Sequence, residues 1–167
     1  MDKTVLILGA SSVIGRLIVD KFLLSGWNVL AYCNINNPFV EKKYLLHNIK
    51  VVSLDLKNAS SVEEHLANVN FLDVSSFINC AGKITPTKFS DCSYHSLIDV
   101  LAINVISPNL FIQKLLPIMK NNNFGRIVNF GSIGVDFGGG INNYAYSLSK
   151  HMLEFFPQEI RKAAKNN

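Results

Sequence analysis

Three observations predict an α/β fold built on a doubly wound parallel sheet. Five short apolar runs alternate with segments of helical spacing. The connections between them carry turn and cap residues such as Gly9, Gly26 and Ser60. The first run leads through Gly9 and Gly15 into a helical segment, a strand–turn–helix join.

Residues 4–8 are apolar and few, the pattern of a strand buried on both faces. Ile14, Leu17, Ile18 and Phe22 follow at helical spacing, and Gly26 ends that helix. A second strand is predicted over 27–32, a short helix over 38–46 and a third strand over 50–54. Ser60 and Glu63 have the spacing of a capping box, with Val62, Leu66 and Val69 on one helix face. The fourth strand covers 74–79. Leu97, Leu101, Val105, Leu115 and Met119 predict one long helix with Pro108 inside it. The fifth strand covers 125–130, and a last helix starts near residue 143. Pro157 interrupts it after Phe156. Strands separated by helices imply parallel pairing with helices on both faces.

The 167 residues suit one domain, 1–167, and 49% apolar content supplies a core. The net charge of +4 is scattered. Its densest cluster, Arg161, Lys162 and Lys165, lacks an aromatic platform and reads as a solvated helix end, so no nucleic-acid partner is expected. Cys33, Cys80 and Cys92 are odd in number, and neither they nor His47, His65, His95 and His151 have metal-ligand spacing. Reduced thiols, a cytoplasmic location and no metal follow as expectations. Gly9, Ser11 and Ser12 cut the first apolar run too short for a secretory signal. No apolar run reaches bilayer-spanning length, so no membrane partner is expected.

The segment Gly9-Ala10-Ser11-Ser12-Val13-Ile14-Gly15 joins strand to helix, a turn that aims backbone N–H groups and a positive helix end at an anion. Asp55 follows the third strand, and Asn79-Cys80-Ala81-Gly82 ends the fourth. Ser132 lies just past the fifth strand, at the carboxyl edge where open α/β sheets bind ligands. Tyr146 and Lys150 are spaced i, i+4 and share one helix face. A free phenol titrates near about 10, and an adjacent ammonium favours its ionised form.

In this order the parts resemble the short-chain dehydrogenase/reductase family. The resemblance covers nearly the whole chain and implies a Rossmann-like sheet of order 3-2-1-4-5-6. Five strands are convincing here, so the chain is expected to lack the last strands of the family fold and part of its substrate pocket. The resemblance implies hydride transfer between NAD(P)(H) and a small carbonyl or secondary-alcohol substrate. It implies Tyr146 as proton donor and acceptor, Lys150 tuning Tyr146 and holding the nicotinamide ribose, and Ser132 orienting the substrate oxygen. It also implies Asn104 in a water-linked proton relay. Pro108 has no N–H for the Asn104 carbonyl, which leaves that carbonyl open; the other reading is a kink beside a buried polar spacer. Gly9, Ser11, Ser12, Ile14 and Gly15 would hold the pyrophosphate, with Val13 standing where the family pattern has a glycine. Asn79, Ala81 and Gly82 would face the ribose. Asp55 and Leu56 would meet the adenine, or Asp55 would only cap its loop. No carboxylate lies in 29–37, which favours NADP over NAD. Arg16 either assists or is an exposed helix residue. Gly138, Gly139 and Gly140 border a substrate pocket or form a plain loop. Tyr144, with no Lys or Arg at 148, ranks below Tyr146. A catalytically idle remnant and a dinucleotide-binding sensor are the alternatives. An unpaired fifth-strand edge and an apolar face of Leu148, Met152, Phe155 and Phe156 predict a marginally stable or self-associating chain, and a homo-oligomer.

Overall fold

The computed structural model describes residues 3–34, 38–39, 44 and 48–165. Its centre is a five-stranded sheet of order β3-β2-β1-β4-β5, formed by β1 (Thr4–Leu8), β2 (Asn28–Cys33), β3 (Ile49–Ser53), β4 (Val74–Asn79) and β5 (Arg126–Asn129). All four pairings are parallel. Val5 to Leu8 are completely buried, as a strand covered on both faces must be. Each predicted strand is present within a residue or so of its expected ends. The helix expected over 38–46 lies largely outside the described residues.

Helices α1 (Val13–Leu24), α2 (Ala59–Asn68), α3 (Tyr94–Leu101), α4 (Ser107–Asn121), α5 (Tyr144–Met152) and α6 (Gln158–Lys165) surround the sheet. One core lies beneath α2 and α4, where Phe111 meets Tyr32, Phe71 and Phe77 ring to ring. The other lies beneath α1 and is built from Val5, Ile7, Val19, Leu23 and Ala31.

Local details correct the sequence reading. Helix α1 buries Gly15, Val19 and Leu23, whereas Ile14 and Leu17 face outward, because Gly15 allows the helix to press closest on that side. Helix α2 is capped by Asn58, whose side chain accepts from Ser61 N–H, and not by the expected Ser60–Glu63 box. The long helix is continuous from Tyr94 to Asn121 but contains a π-helical stretch, Ala102–Ile106, where Ser107 N–H reaches back to the Ala102 carbonyl. Pro108 therefore sits in the first turn of α4, where its missing N–H is tolerated. This same run is long and apolar enough by length and composition to cross a bilayer, contrary to the expectation. Here Val100, Phe111 and Leu115 lie buried in the protein's own core. The last helix is two: α5 stops at Met152, and the Pro157 carbonyl accepts the first bonds of α6. Of the expected apolar face, Met152 and Phe155 are exposed, whereas Leu148 and Phe156 are half-buried.

Two glycines set the turn at the head of the sheet. Gly9 has φ of 76°, and a Cβ there would lie 2.6 Å from Ala81 N. A Cβ on Gly15 would lie 2.4 Å from the Gly9 carbonyl oxygen, so Gly15 packs on the turn itself and not on the strand. Replacing glycine by alanine inside a helix ordinarily gains about 1 kcal/mol. Gly15→Ala is expected to reverse that sign and cost about 1–3 kcal/mol through overpacking. Urea unfolding of the two proteins checks it, and a stabilised variant would refute the close packing.

Candidate active site

A cleft of about 340 Å³ opens at the carboxyl ends of β1, β2, β3 and β4. The turn after β1 forms its floor, and Ser12 caps α1 by accepting from Gly15 N–H at 3.0 Å. Gly9, Ser11, Ser12, Asp55, Leu56, Ala81 and Gly82 line it. Ile14 and Arg16 are exposed on α1, and neither lines the cleft. One carboxylate oxygen of Asp55 caps its loop by accepting from Lys57 N–H, and the residue edges the cleft. Cys33 is buried against Ser11; burial pushes its thiol up, and the Ser11 hydrogen bonds oppose the shift. The Cys80 thiol is pushed up to about 11 by burial, with the Lys150 charge opposing.

Beneath the cleft, the fully buried Asn79 accepts from Ala81 N–H at 3.1 Å and donates to the Asn129 side chain at 3.2 Å. The sequence reading missed Asn129. Its signal was an Asn ending the neighbouring strand, and the two are register partners in the β4–β5 pair.

Helix α5 carries Tyr146 and Lys150. Its start is tied to the loop after β4, where Thr87 N–H donates to the Asn142 carbonyl and Tyr144 N–H to the Thr87 carbonyl at 3.1 Å. Tyr144 stacks edge-on against Phe89, outside the constellation. Tyr146 is half-buried. Lys150 is 4% exposed, and its Nζ donates to the Phe130 carbonyl at 2.8 Å and lies 5.7 Å from the Tyr146 ring centroid. A Cβ on Gly82 would lie 3.6 Å from that Nζ, so Lys150 abuts the cleft wall. Ser132 stands two residues beyond Phe130 and accepts from Gly134 N–H at 3.2 Å. The segment from there to α5 doubles back, and Gly139 packs directly against the Ser147 hydroxyl. Ile133, Phe137 and Ile141 project from it, each about 80% exposed (80%, 79% and 82%).

Asn104 is fully buried in the π-helical stretch, but its side chain does not reach Lys150. Its amide brackets Lys83, accepting from that N–H at 2.7 Å and donating to that carbonyl at 3.1 Å. It also donates to the Ser149 hydroxyl at 2.9 Å. Among the described residues no cluster of His, Cys, Asp and Glu could hold a metal ion.

The chain matches the profile of the short chain dehydrogenases over residues 3–167. It is 30% identical over 174 residues to the 3-amino-tetrahydro-pyrrolizinone reductase of Xenorhabdus hominickii, a match covering 99% of this chain and 57% of that protein. Among solved structures, a short-chain dehydrogenase from Leptospira borgpetersenii with bound NAD+ is 26% identical, with a TM-score of 0.83 over 99% of this chain and 67% of that one. A 4-hydroxyisoleucine dehydrogenase complexed with NADH is 25% identical, with a TM-score of 0.87 over 99% of this chain and 70% of that one.

Lys150 carries a consequence for stability. Burial holds its ammonium below the ordinary 10.5, with Cys80 opposing. The folded state thus binds this proton less tightly than the unfolded chain, and stability rises with pH across the window between the depressed value and 10.5. Lys150→Met, similar in length and uncharged, is expected to gain about 1 kcal/mol at pH 7. That gain should shrink as pH climbs through the window. Urea titrations at pH 7 and in the lysine range measure both, and a less stable variant at pH 7 would refute the argument.

Proposed function

The chain belongs to the short-chain dehydrogenase family, and from that premise we propose that it transfers hydride between a nicotinamide dinucleotide and a carbonyl/secondary-alcohol pair. One observation carries the reading. Lys150 is buried beside Tyr146 on α5 and at the same time abuts Gly82 in the cleft wall, so the dinucleotide cleft and the proton-handling helix meet at one ammonium.

The cleft fits such a cofactor. A Cβ at Gly9 would collide with the backbone of Cys80 and Ala81, which holds the strand ends and the turn close around the cleft. Gly9, Ser11 and Ser12, which line the cleft at the start of α1, would hold the pyrophosphate. Asp55 and Leu56 would meet the adenine, and Ala81 and Gly82 the ribose, with the buried Asn79 holding Ala81 N–H beneath them. Tyr146 and Lys150 would hold the nicotinamide ribose. When bound, the nicotinamide supplies or accepts the hydride.

The remaining chemistry belongs to side chains of this chain. In reduction the Tyr146 phenol gives its proton to the carbonyl oxygen, and in oxidation the phenolate takes the proton from the alcohol. The Lys150 ammonium stabilises the phenolate, and the Ser132 hydroxyl orients the substrate oxygen. Asn104, in the π-helical stretch, supports a water-linked relay toward Lys150. Residues 1–167 form one dinucleotide-binding domain in this reading. The chain spans 57% of the length of the Xenorhabdus reductase. Free Cys33, Cys80 and Cys92 accord with a reducing, cytoplasmic setting. The exposed Tyr94 and Ile98 on α3 and Met152 on α5 favour a homo-oligomer.

Two experiments test this. Cys33 and Asn34 line the cleft where a carboxylate would repel a 2′-phosphate, so NADPH should bind at least as tightly as NADH in side-by-side fluorescence titrations. Clear preference for NADH would refute the cofactor choice. Tyr146→Phe should lower turnover on a panel of simple ketones by about 10²–10⁴-fold and leave cofactor affinity nearly intact. Wild-type turnover in that variant would remove Tyr146 from its role.

A further inference from the structure

The buried polar groups between α5 and the cleft form one unbroken chain of hydrogen bonds. Ser149 lies between Tyr146 and Lys150 in sequence and is fully buried. Its hydroxyl donates to the Tyr146 carbonyl at 2.6 Å and accepts from Asn104 Nδ2 at 2.9 Å. Asn104 then holds both backbone groups of Lys83, the residue after Gly82 in the cleft wall.

The orientation of every member is determined. The Ser149 proton is committed to the Tyr146 carbonyl, so toward Asn104 the hydroxyl only accepts. Both Asn104 Nδ2 hydrogens are used, one on Ser149 and one on the Lys83 carbonyl. A flipped amide would set Nδ2 against the Lys83 N–H and Oδ1 against a hydroxyl with no proton to give. The flipped state is thereby excluded. The π-helical stretch supports this geometry, since its wide turn brings Asn104 against α5. A helix-interior serine usually bonds only its own preceding turn. This one bridges to a second element.

We infer that Ser149 is a positioning residue: it joins the helix carrying Tyr146 and Lys150 to the cleft wall at Lys83 through Asn104. The joint rests on geometry alone, and its consequence for turnover rests on the oxidoreductase reading. Removing the hydroxyl strands one Asn104 hydrogen in the interior and frees the amide to move, which loosens Lys83 some distance from the mutation.

The test uses the intact chain. Ser149→Ala is expected to speed amide hydrogen exchange at Lys83 about tenfold relative to Leu6 in β1, measured by NMR without any cofactor. Val62→Ala, a destabilising control within α2, should leave that ratio unchanged. With NADPH and whichever simple ketone the wild type turns over fastest, Ser149→Ala should lower kcat about tenfold with KM nearly constant. An unchanged Lys83 ratio overturns the joint. A changed ratio with wild-type kcat overturns the positioning role. If the ratio changes but the wild type binds neither NADPH nor NADH and reduces no ketone, the oxidoreductase reading fails, and Ser149 is left as a structural joint only.

Discussion

The close approach of Gly9 to the end of β4 is the constraint from which the rest of the site follows. The turn after β1 lies so near Ala81 that a single methyl group has no room. Because Gly15 packs under the same turn, strand, turn and helix form three stacked layers of backbone with no side chain between them. That stack brings the start of α1 to the cleft. Through the Asn79 bond to Ala81 N–H and the Asn79–Asn129 pair, it also ties the strand ends that form the cleft to the strand leading to Ser132. A looser turn would move each of these relative to the others.

The site is assembled at a cost in stability. Lys150 is a buried ammonium that, among the described residues, hydrogen-bonds through Nζ to a neutral carbonyl. Burial of a charge without an ion-pair partner is unfavourable. The hydrophobic clusters on both faces of the sheet offset that cost, with Phe111 and its ring neighbours at the centre of the larger one. The polar residues of the candidate site and those that make the protein fold are therefore largely different sets, meeting at α5.

The strands were legible because β1, β2 and β4 are largely buried and read as short, mainly apolar runs, even with Ser75 and Ser76 inside β4. The Gly9–Gly15 turn and the Tyr146–Lys150 spacing were legible because each depends on a local rule, a close approach or an i, i+4 face. What escaped depends on partners distant in sequence. Leu17 has the apolar character of a core residue but faces outward, since α1 packs inward through Gly15 against the turn and through Val19 and Leu23 against the core. Asn58 and Ser60 are both acceptable caps, and only the chain path chose between them. The π-helical stretch is visible only as a proline that a plain helix would not tolerate. Asn129 and Ser149 look ordinary until Asn79 and Asn104 are placed beside them, 50 and 45 residues away.

The segment between Ser132 and α5 is fastened at three points: Ser132 to Gly134, Gly139 to Ser147, and Asn142 to Thr87. Ile133, Phe137 and Ile141 hang from it between those fastenings. Their side chains bear little of the fold's weight. Such a segment can exchange its apolar residues over evolutionary time while the phenol and ammonium beside it stay where they are. It is an interchangeable surface on a fixed mount, and its exposed apolar positions can be rewritten without rebuilding the helix behind them.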